Sequence, residues 1–230
     1  MNKITKKRIS VVILAFNHEK FIDQALDSIL SQQVEFDYEI IVHDDASTDS
    51  TVEILKSYQL AYPEKIRLIL QTENQFSLGK PLYDNLLPHC QGEYIAVCEG
   101  DDYWGDERKL SIQVDYLDRH PDVFISGHDA KVVDEHGIVK AQSKLPKSYQ
   151  KDFSAIEMKK GQAWLLTGTW VFRNKPIPKA IERRRVINGD AFLLTLFGQY
   201  GGSHHHNDIK PAYYRVHSGG IWSSRNKQEQ

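Results

Sequence analysis

Cysteine is scarce in this chain: Cys90 and Cys98 are the only two in 230 residues. They supply no disulfide framework, so the fold must rest on its core, and a reducing compartment suits it. Long apolar runs are missing too. None approaches the roughly 20 residues that cross a bilayer. The charged amino-terminal segment passes straight into Ile9-Ser-Val-Val-Ile-Leu14, without the apolar stretch and cleavage site of a secretory leader. A cytoplasmic protein is expected, at most peripheral to the inner face of a membrane. No excess of one charge is present either: 29 Lys and Arg face 31 Asp and Glu, a formal net charge of −2. That balance excludes a general electrostatic grip on nucleic acid or on anionic lipid. Lys6-Lys7-Arg8 and Arg183-Arg184-Arg185 are local basic runs that read as solvated turns or helix faces. There is no internal repeat and no linker long enough to require two domains. What remains is ordinary globular composition, 40% hydrophobic and 26% charged, in a length that suits one sizeable α/β domain.

Against this background one stretch stands out, Glu93-Tyr-Ile-Ala-Val-Cys-Glu-Gly-Asp-Asp-Tyr-Trp104. Its apolar part, Tyr94 to Cys98, is short and bounded by Gly92 and Gly100, and reads as a buried strand. It ends in Glu99, Asp101 and Asp102. Several acids delivered to one point repel each other unless a cation joins them, and hard divalent ions bind carboxylates together with substrate phosphates. The stretch therefore reads either as a metal–diphosphate site at a sheet edge or as a solvated acidic turn.

The rest of the chain favours the first reading. Ile9 to Ala15 is a nearly continuous aliphatic run, as a central parallel strand requires, and Phe16-Asn17-His18 is a turn. Glu19 to Gln32 has the spacing of an amphipathic helix. Tyr38 to Val42 is a strand ending in His43-Asp-Asp-Ala-Ser-Thr-Asp49. A helix capped by Asp49 or Ser50 runs to about Ala61, a strand covers Ile66 to Leu70, and a helix covers Leu82 to His89. This alternation implies a parallel sheet with right-handed crossovers, which binds ligands at the carboxyl ends of its strands. Three such ends, at Asn17, Asp44-Asp45 and Glu99-Asp101, are polar. The second half is less regular. A helix is expected over Glu107 to Arg119, short strands at Val123 to Ser126 and at Val132-Val133, and a polar connector over Leu145 to Phe153. Gln162 to Phe172 reads as a strand closing the site. Asp190 to Phe197 is a helix, His204 to Val216 a strand with a turn at Asn207-Asp208, and the tail from Ser223 reads as disordered.

Together these motifs resemble the family 2 glycosyltransferases, which have the GT-A nucleotide-diphospho-sugar fold: an α/β architecture with a mostly parallel central sheet, flanking helices and a small second sheet. Ser10 to Asn17 with its following helix, Glu39 to Thr51, Gly92 to Trp104, Asn188-Gly-Asp190 and Tyr214-Arg-Val-His-Ser-Gly-Gly220 carry the likeness, in the family's order. It implies one GT-A domain over 1–222, with a nucleotide-binding half to about 104 and an acceptor-binding half beyond.

The same resemblance assigns roles. Asp45 would accept the uracil N3–H, backbone around Leu14, Ala15 and Phe16 would hold base and ribose, and Lys80 would stand near sugar or phosphate. Asp101 would bind Mn²⁺ or Mg²⁺, with His217 completing the metal site. Glu99, where many relatives carry Asp, would reach the ribose or a metal-bound water beside Gly100. Asp190 would be the catalytic base of an inverting transfer, and Arg215 with Ser218-Gly-Gly220 would contact phosphate. Each assignment has a plainer rival. Asp45 also reads as a turn residue, Asp102 and Asp190 as helix caps, and His217 as a hydrogen-bonded loop histidine. Trp104 is expected to pack the floor of the site; Trp164, Trp170 and Trp222 read either as sugar-facing aromatics or, by default, as core. His204-His-His206 cannot converge on one ion, because strand side chains alternate between faces.

The implied function is metal-dependent, inverting transfer from a UDP-sugar to a glycan or lipid-linked acceptor in cell-surface polysaccharide or lipopolysaccharide assembly. One rival is a sugar nucleotidyltransferase, disfavoured because Ala15-Phe-Asn-His-Glu19 lacks the Gly-rich basic loop that would hold a triphosphate. Another is a non-catalytic nucleotide-sugar-binding or interaction protein on the same fold.

Overall fold

Strands buried along nearly their whole length must be covered on both faces, and the first two of this chain lie side by side inside a sheet. The computed structural model describes residues 7–80, 82–177 and 188–220. In chain order the elements are β1 (Ile9–Ala15), α1 (Ile22–Leu30), β2 (Tyr38–Asp44), α2 (Thr51–Ala61), β3 (Ile66–Leu70), α3 (Leu82–Leu86), β4 (Tyr94–Glu99) and α4 (Lys109–Arg119). There follow β5 (Val123–His128), β6 (Ala130–Asp134), β7 (Val139–Ala141), α5 (Ala155–Lys159), β8 (Val171–Arg173), α6 (Gly189–Phe197), β9 (Gly202–His206) and β10 (Ala212–Val216). Seven strands pair in the order β3-β2-β1-β4-β8-β5-β9, and β10-β6-β7 make a second sheet. In the large sheet only β8 opposes its neighbours, β4 and β5.

Alternate residues of the central strands feed two cores. Val11, Ile13, Ile40, Val42, Ala96 and Cys98 join α1, α2 and α4 on one face. Val12, Ile41, Ile95 and Val97 join α3, α5 and α6 on the other. The parallel register sets Ala15 beside Asp44 and Leu14 beside Glu99, so the ends of β1, β2 and β4 meet at one lip.

Several boundaries differ from expectation for local reasons. The first helix starts at Ile22, not Glu19, because residues 17–19 are tied to the next loop. Asn17 N–H donates to Ser47 Oγ at 2.9 Å, His18 N–H to Thr51 Oγ1 at 2.8 Å and Glu19 N–H to Asp49 Oδ2 at 3.1 Å. Gln162 to Phe172 is not one strand: a 3₁₀ turn at Thr167–Thr169 precedes β8, held by Thr169 Oγ1 donating to Leu166 O at 2.7 Å. His204 to Val216 is not a hairpin, because β9 pairs with β5 in the large sheet and β10 with β6 in the small one. The tail from Ser223, Trp222 and the Arg183-Arg184-Arg185 run lie outside the described residues.

Candidate active site

The lip of the sheet is built by backbone bonds before any side chain acts. Asp45 N–H donates to Ala15 O and Gly100 N–H to Leu14 O, each at 2.9 Å, locking the acidic turns to the end of β1. The carbonyls of Leu14 and Ala15 are thus already engaged, while the Phe16 ring is exposed. Asp45 is buried, and its carboxylate accepts the N–H groups of Gln75 at 2.6 Å and Phe76 at 3.0 Å. It therefore anchors the loop that carries Lys80. Lys80 itself is exposed, and among the described residues no contact joins its ammonium to the acidic loop.

Beyond β4 the carboxylates separate into distinct environments. Asp101 Oδ2 lies 3.0 Å from His217 Nε2. Burial pushes the Asp101 carboxyl up, but the His217 hydrogen bond and the nearby charges of His18 and His217 outweigh it and hold it below the usual range. Asp102 is not a helix cap. It is buried and accepts Arg215 N–H at 2.8 Å, and burial plus the charges of Asp101 and Glu99 push it up. Glu99 is pushed up to about 8, first by burial and then by the charges of Asp101 and Asp190.

The phosphate role expected of the Arg215 side chain is not supported. Its Nε donates to Asp101 O at 2.9 Å, its Nη2 to Gln24 Oε1 at 2.6 Å, and its Nη1 to the carbonyls of Asp134 and Glu135 at 3.3 Å each. The guanidinium also lies over the rings of Phe21 and Tyr103. Every donor-bearing nitrogen is committed, tying β10 to the acidic loop, to α1 and to the end of β6, and Tyr103 and Tyr213 stack at 4.4 Å beside it.

Asp190 reaches the site from the other side. Asn188, not Asp190, caps α6 by accepting Ala191 N–H at 3.0 Å, which frees the Asp190 carboxylate. That carboxylate accepts a hydrogen bond from Thr167 Oγ1 at 2.9 Å, and burial pushes it up. Next to Thr167, a Cβ at Gly168 would lie 3.4 Å from Asp102 Oδ2 and 3.9 Å from Glu99 Oε2, so this turn rests directly on the acidic loop. Trp104 packs beneath it as expected, its Nε1 donating to Gly168 O at 2.8 Å. Trp170 is core, whereas Trp164 is 40% exposed against Tyr149. In the histidine run, His204 and His206 both face Tyr116 and hydrogen-bond Asp152 and Asp208 respectively, so the three histidines do not converge.

Three participants escaped the sequence reading. His18 stands with Asp101 and His217, their ligand atoms within 4.8 Å of one another. Its place in the turn after β1 was the available signal. Tyr83, on α3, buries a hydroxyl with no hydrogen-bond partner among the described residues, close enough to Asp190 and Glu99 to feel both charges. Tyr214 is half-buried and raised by burial and by Glu99, Asp102 and Asp101. The converging His18, Asp101 and His217 donors fit a divalent cation.

Residues 10–177 match the family described as Glycosyl transferase family 2. The chain belongs to glycosyl transferase family 2. An uncharacterized Mycobacterium tuberculosis protein, Rv1520, is 37% identical over 217 residues, 94% of this chain and 61% of that protein. The Staphylococcus aureus enzyme TarS, a poly(ribitol-phosphate) β-N-acetylglucosaminyltransferase, is 30% identical over 119 residues, 51% of this chain and 20% of TarS. Its 1–349 fragment, solved with UDP-GlcNAc, superposes with a TM-score of 0.67 at 21% identity, covering 94% of this chain and 61% of that one. The mannosyltransferase PcManGT of Pyrobaculum calidifontis, solved with GDP-Man and Mn²⁺, gives a TM-score of 0.67 at 18% identity, covering 98% of this chain and 61% of that one. This family 2 chain thus has the GT-A fold and spans about three-fifths of the length of Rv1520 and of PcManGT. Among its described residues no helix is long and apolar enough to cross a membrane.

Proposed function

We propose that this family 2 chain performs metal-dependent, inverting transfer of a sugar from a nucleotide-diphospho-sugar, by preference a UDP-sugar, to an acceptor hydroxyl of a glycan or lipid-linked intermediate in cell-surface polysaccharide assembly. One observation carries the reading. The Thr167–Gly168 turn links Asp190 to the acidic loop, so a candidate base and a candidate metal site share one cleft. The names of TarS and PcManGT add that proteins of this fold take nucleotide sugars.

In this reading residues up to about 104 hold the nucleotide. Asp45 keeps lone pairs beyond those given to Gln75 and Phe76, and one accepts a nucleobase N–H. Backbone at Leu14, Ala15 and Phe16 borders base and ribose, Lys80 stands on the side of the sugar or phosphate, and Glu99 beside Gly100 meets the ribose. Asp101 and His217 hold Mn²⁺ or Mg²⁺, which when bound neutralises the charge of the departing diphosphate. Residues beyond 104 hold the acceptor. The Asp190 carboxylate, raised by burial towards the operating pH, takes the acceptor's hydroxyl proton. As that oxygen bonds to the anomeric carbon, the bond from carbon to the diphosphate oxygen breaks on the opposite face, and the nucleoside diphosphate leaves. The two free cysteines fit a cytoplasmic site of action, at the inner membrane face where the acceptor is lipid-linked.

A thermal-shift screen of nucleoside diphosphates and their sugars, with and without Mn²⁺, tests the reading. Selective, metal-dependent stabilisation by UDP and one of its sugars is expected. Indifference to every nucleotide overturns it, and persistence of transfer in Asp190→Asn overturns the choice of base.

A further inference from the structure

His18 is held in place from both directions. Its N–H donates to Thr51 Oγ1 at 2.8 Å, and its carbonyl accepts the N–H groups of Phe21 and Ile22, each at 2.9 Å, at the entry to α1. Its ring lies against Gly100 so closely that a Cβ there would come within 2.7 Å of His18 Nδ1. Nδ1 is buried without a hydrogen-bond partner. Nε2 faces Asp101 Oδ2 at 3.9 Å, beyond hydrogen-bond range. The imidazole is held in place and half-buried, and among the described residues its Nε2 makes no hydrogen bond, so that nitrogen is left open to a ligand not made of protein.

The spacings identify that ligand. Two donors on one octahedral ion, with bonds of about 2.1 Å, lie about 3.0 Å apart when adjacent and about 4.2 Å apart when opposite. His217 Nε2 and Asp101 Oδ2 are 3.0 Å apart, His18 Nε2 and the same oxygen 3.9 Å, and the whole group falls within 4.8 Å. Phe21 packs on the His217 ring at 4.8 Å between centroids, so the second imidazole is also fixed. The donor set is therefore two imidazoles and one carboxylate. Such a set favours Mn²⁺ and softer divalent ions over Mg²⁺, which prefers oxygen.

We infer that His18 is a ligand of the divalent cation, completing with Asp101 and His217 a preformed centre that takes up Mn²⁺ in preference to Mg²⁺ before any nucleotide arrives. The inference rests on the metal-dependent reading above. Three protein donors leave positions open for diphosphate oxygens, and the ion need not wait for them. The order of events is then cation first, donor second.

Electron paramagnetic resonance of Mn²⁺ titrated into the nucleotide-free chain tests this without any turnover. The wild type is expected to bind one ion per chain, with a tenfold excess of Mg²⁺ failing to displace it. His18→Gln is expected to lose affinity for Mn²⁺ by about tenfold or more and to narrow the Mn²⁺ to Mg²⁺ ratio. Electron spin echo envelope modulation on the wild-type complex needs no variant and is expected to show nitrogen couplings from two histidines. Coupling to one histidine, or full Mn²⁺ affinity in His18→Gln, overturns this inference alone. No Mn²⁺ uptake by the wild type, with or without UDP, overturns the metal-dependent reading and this inference with it.

Discussion

The two halves of the chain reach the same cleft by different routes. Up to Glu99, strand register does the positioning: three parallel strands, buried on both faces, bring Ala15, Asp44 and Glu99 to one lip through backbone pairing. After Glu99, position depends on single side-chain ties. Thr167 holds Asp190, Arg215 holds the acidic loop to β10, and Phe21 holds the His217 ring. A register is a cooperative property that one substitution rarely moves, whereas a tie can be cut. The second half should therefore be where single changes alter function with the least effect on folding of the sheet.

The sharpest challenge to that contrast is a pair of isosteric changes, one on each side of the cleft. Asp190→Asn is expected to lower transfer by about 10²–10⁴-fold and Asp101→Asn by about 10²–10³-fold, as read from initial rates at saturating donor. Only Asp101→Asn should weaken Mn²⁺ binding. If Asp190→Asn weakened it equally, the separation of the base held by Thr167 from the cation ligand on the loop after β4 would fail.

The next largest effect concerns Lys109, whose ammonium is fully buried over the Trp104 ring at 4.1 Å with no hydrogen-bond partner. Burial lowers it from 10.5 in the unfolded chain to about 7 in the folded one. Between those values the folded chain binds fewer protons, so this group's contribution rises with pH from 7 to 10.5 and is at its worst below 7. Lys109→Met should therefore stabilise the protein by a few kcal/mol at pH 6, with the gain vanishing near pH 10.5. Paired urea melts at the two pH values would show it, and a gain that does not depend on pH would refute the cause.

Arg215→Lys should cost about 1–3 kcal/mol, because an ammonium cannot satisfy carbonyls on two separate segments together with Gln24. A phosphate ligand would instead lose donor affinity with stability intact, so urea denaturation separates the two roles. The smallest effect belongs to Arg119, which pairs with Asp115 one turn away on an exposed face of α4. Arg119→Ala should change stability by no more than about 0.5 kcal/mol.

What could be read in the sequence follows the same division. The strands at Ile9–Ala15 and Tyr94–Glu99 were legible because burial on both faces writes itself as a nearly continuous apolar run, and those near Tyr38 and Ile66 because their aliphatic cores are bounded by polar turns. Asp101, Asp190 and His217 were legible as candidates through the motifs that carry the family likeness, and the fold brings Asp101 and His217 together. His18 was not, because its importance lies in the pairing of Leu14 with Glu99, which brings the turn after one strand against the loop after another. Arg215 was misread because its partner Gln24 stands 191 positions away. An arginine just ahead of a glycine-rich turn looks available until its distant acceptors are known. The closing segment at Gln162–Phe172 was placed correctly and shaped wrongly, since apolar and aromatic content suits a strand as well as a packed turn.

One further point follows from the polarity of β8. Because it runs against β4 and β5, its beginning, not its end, lies beside Asp102 and Glu99, and the residues that roof the cleft are the approach to a strand. Exposed positions ahead of Thr167, such as Gln162 and Trp164, can change without touching a rung of the ladder. A lineage could revise that porch repeatedly, changing which molecules gain entry while the masonry behind it stays as it was.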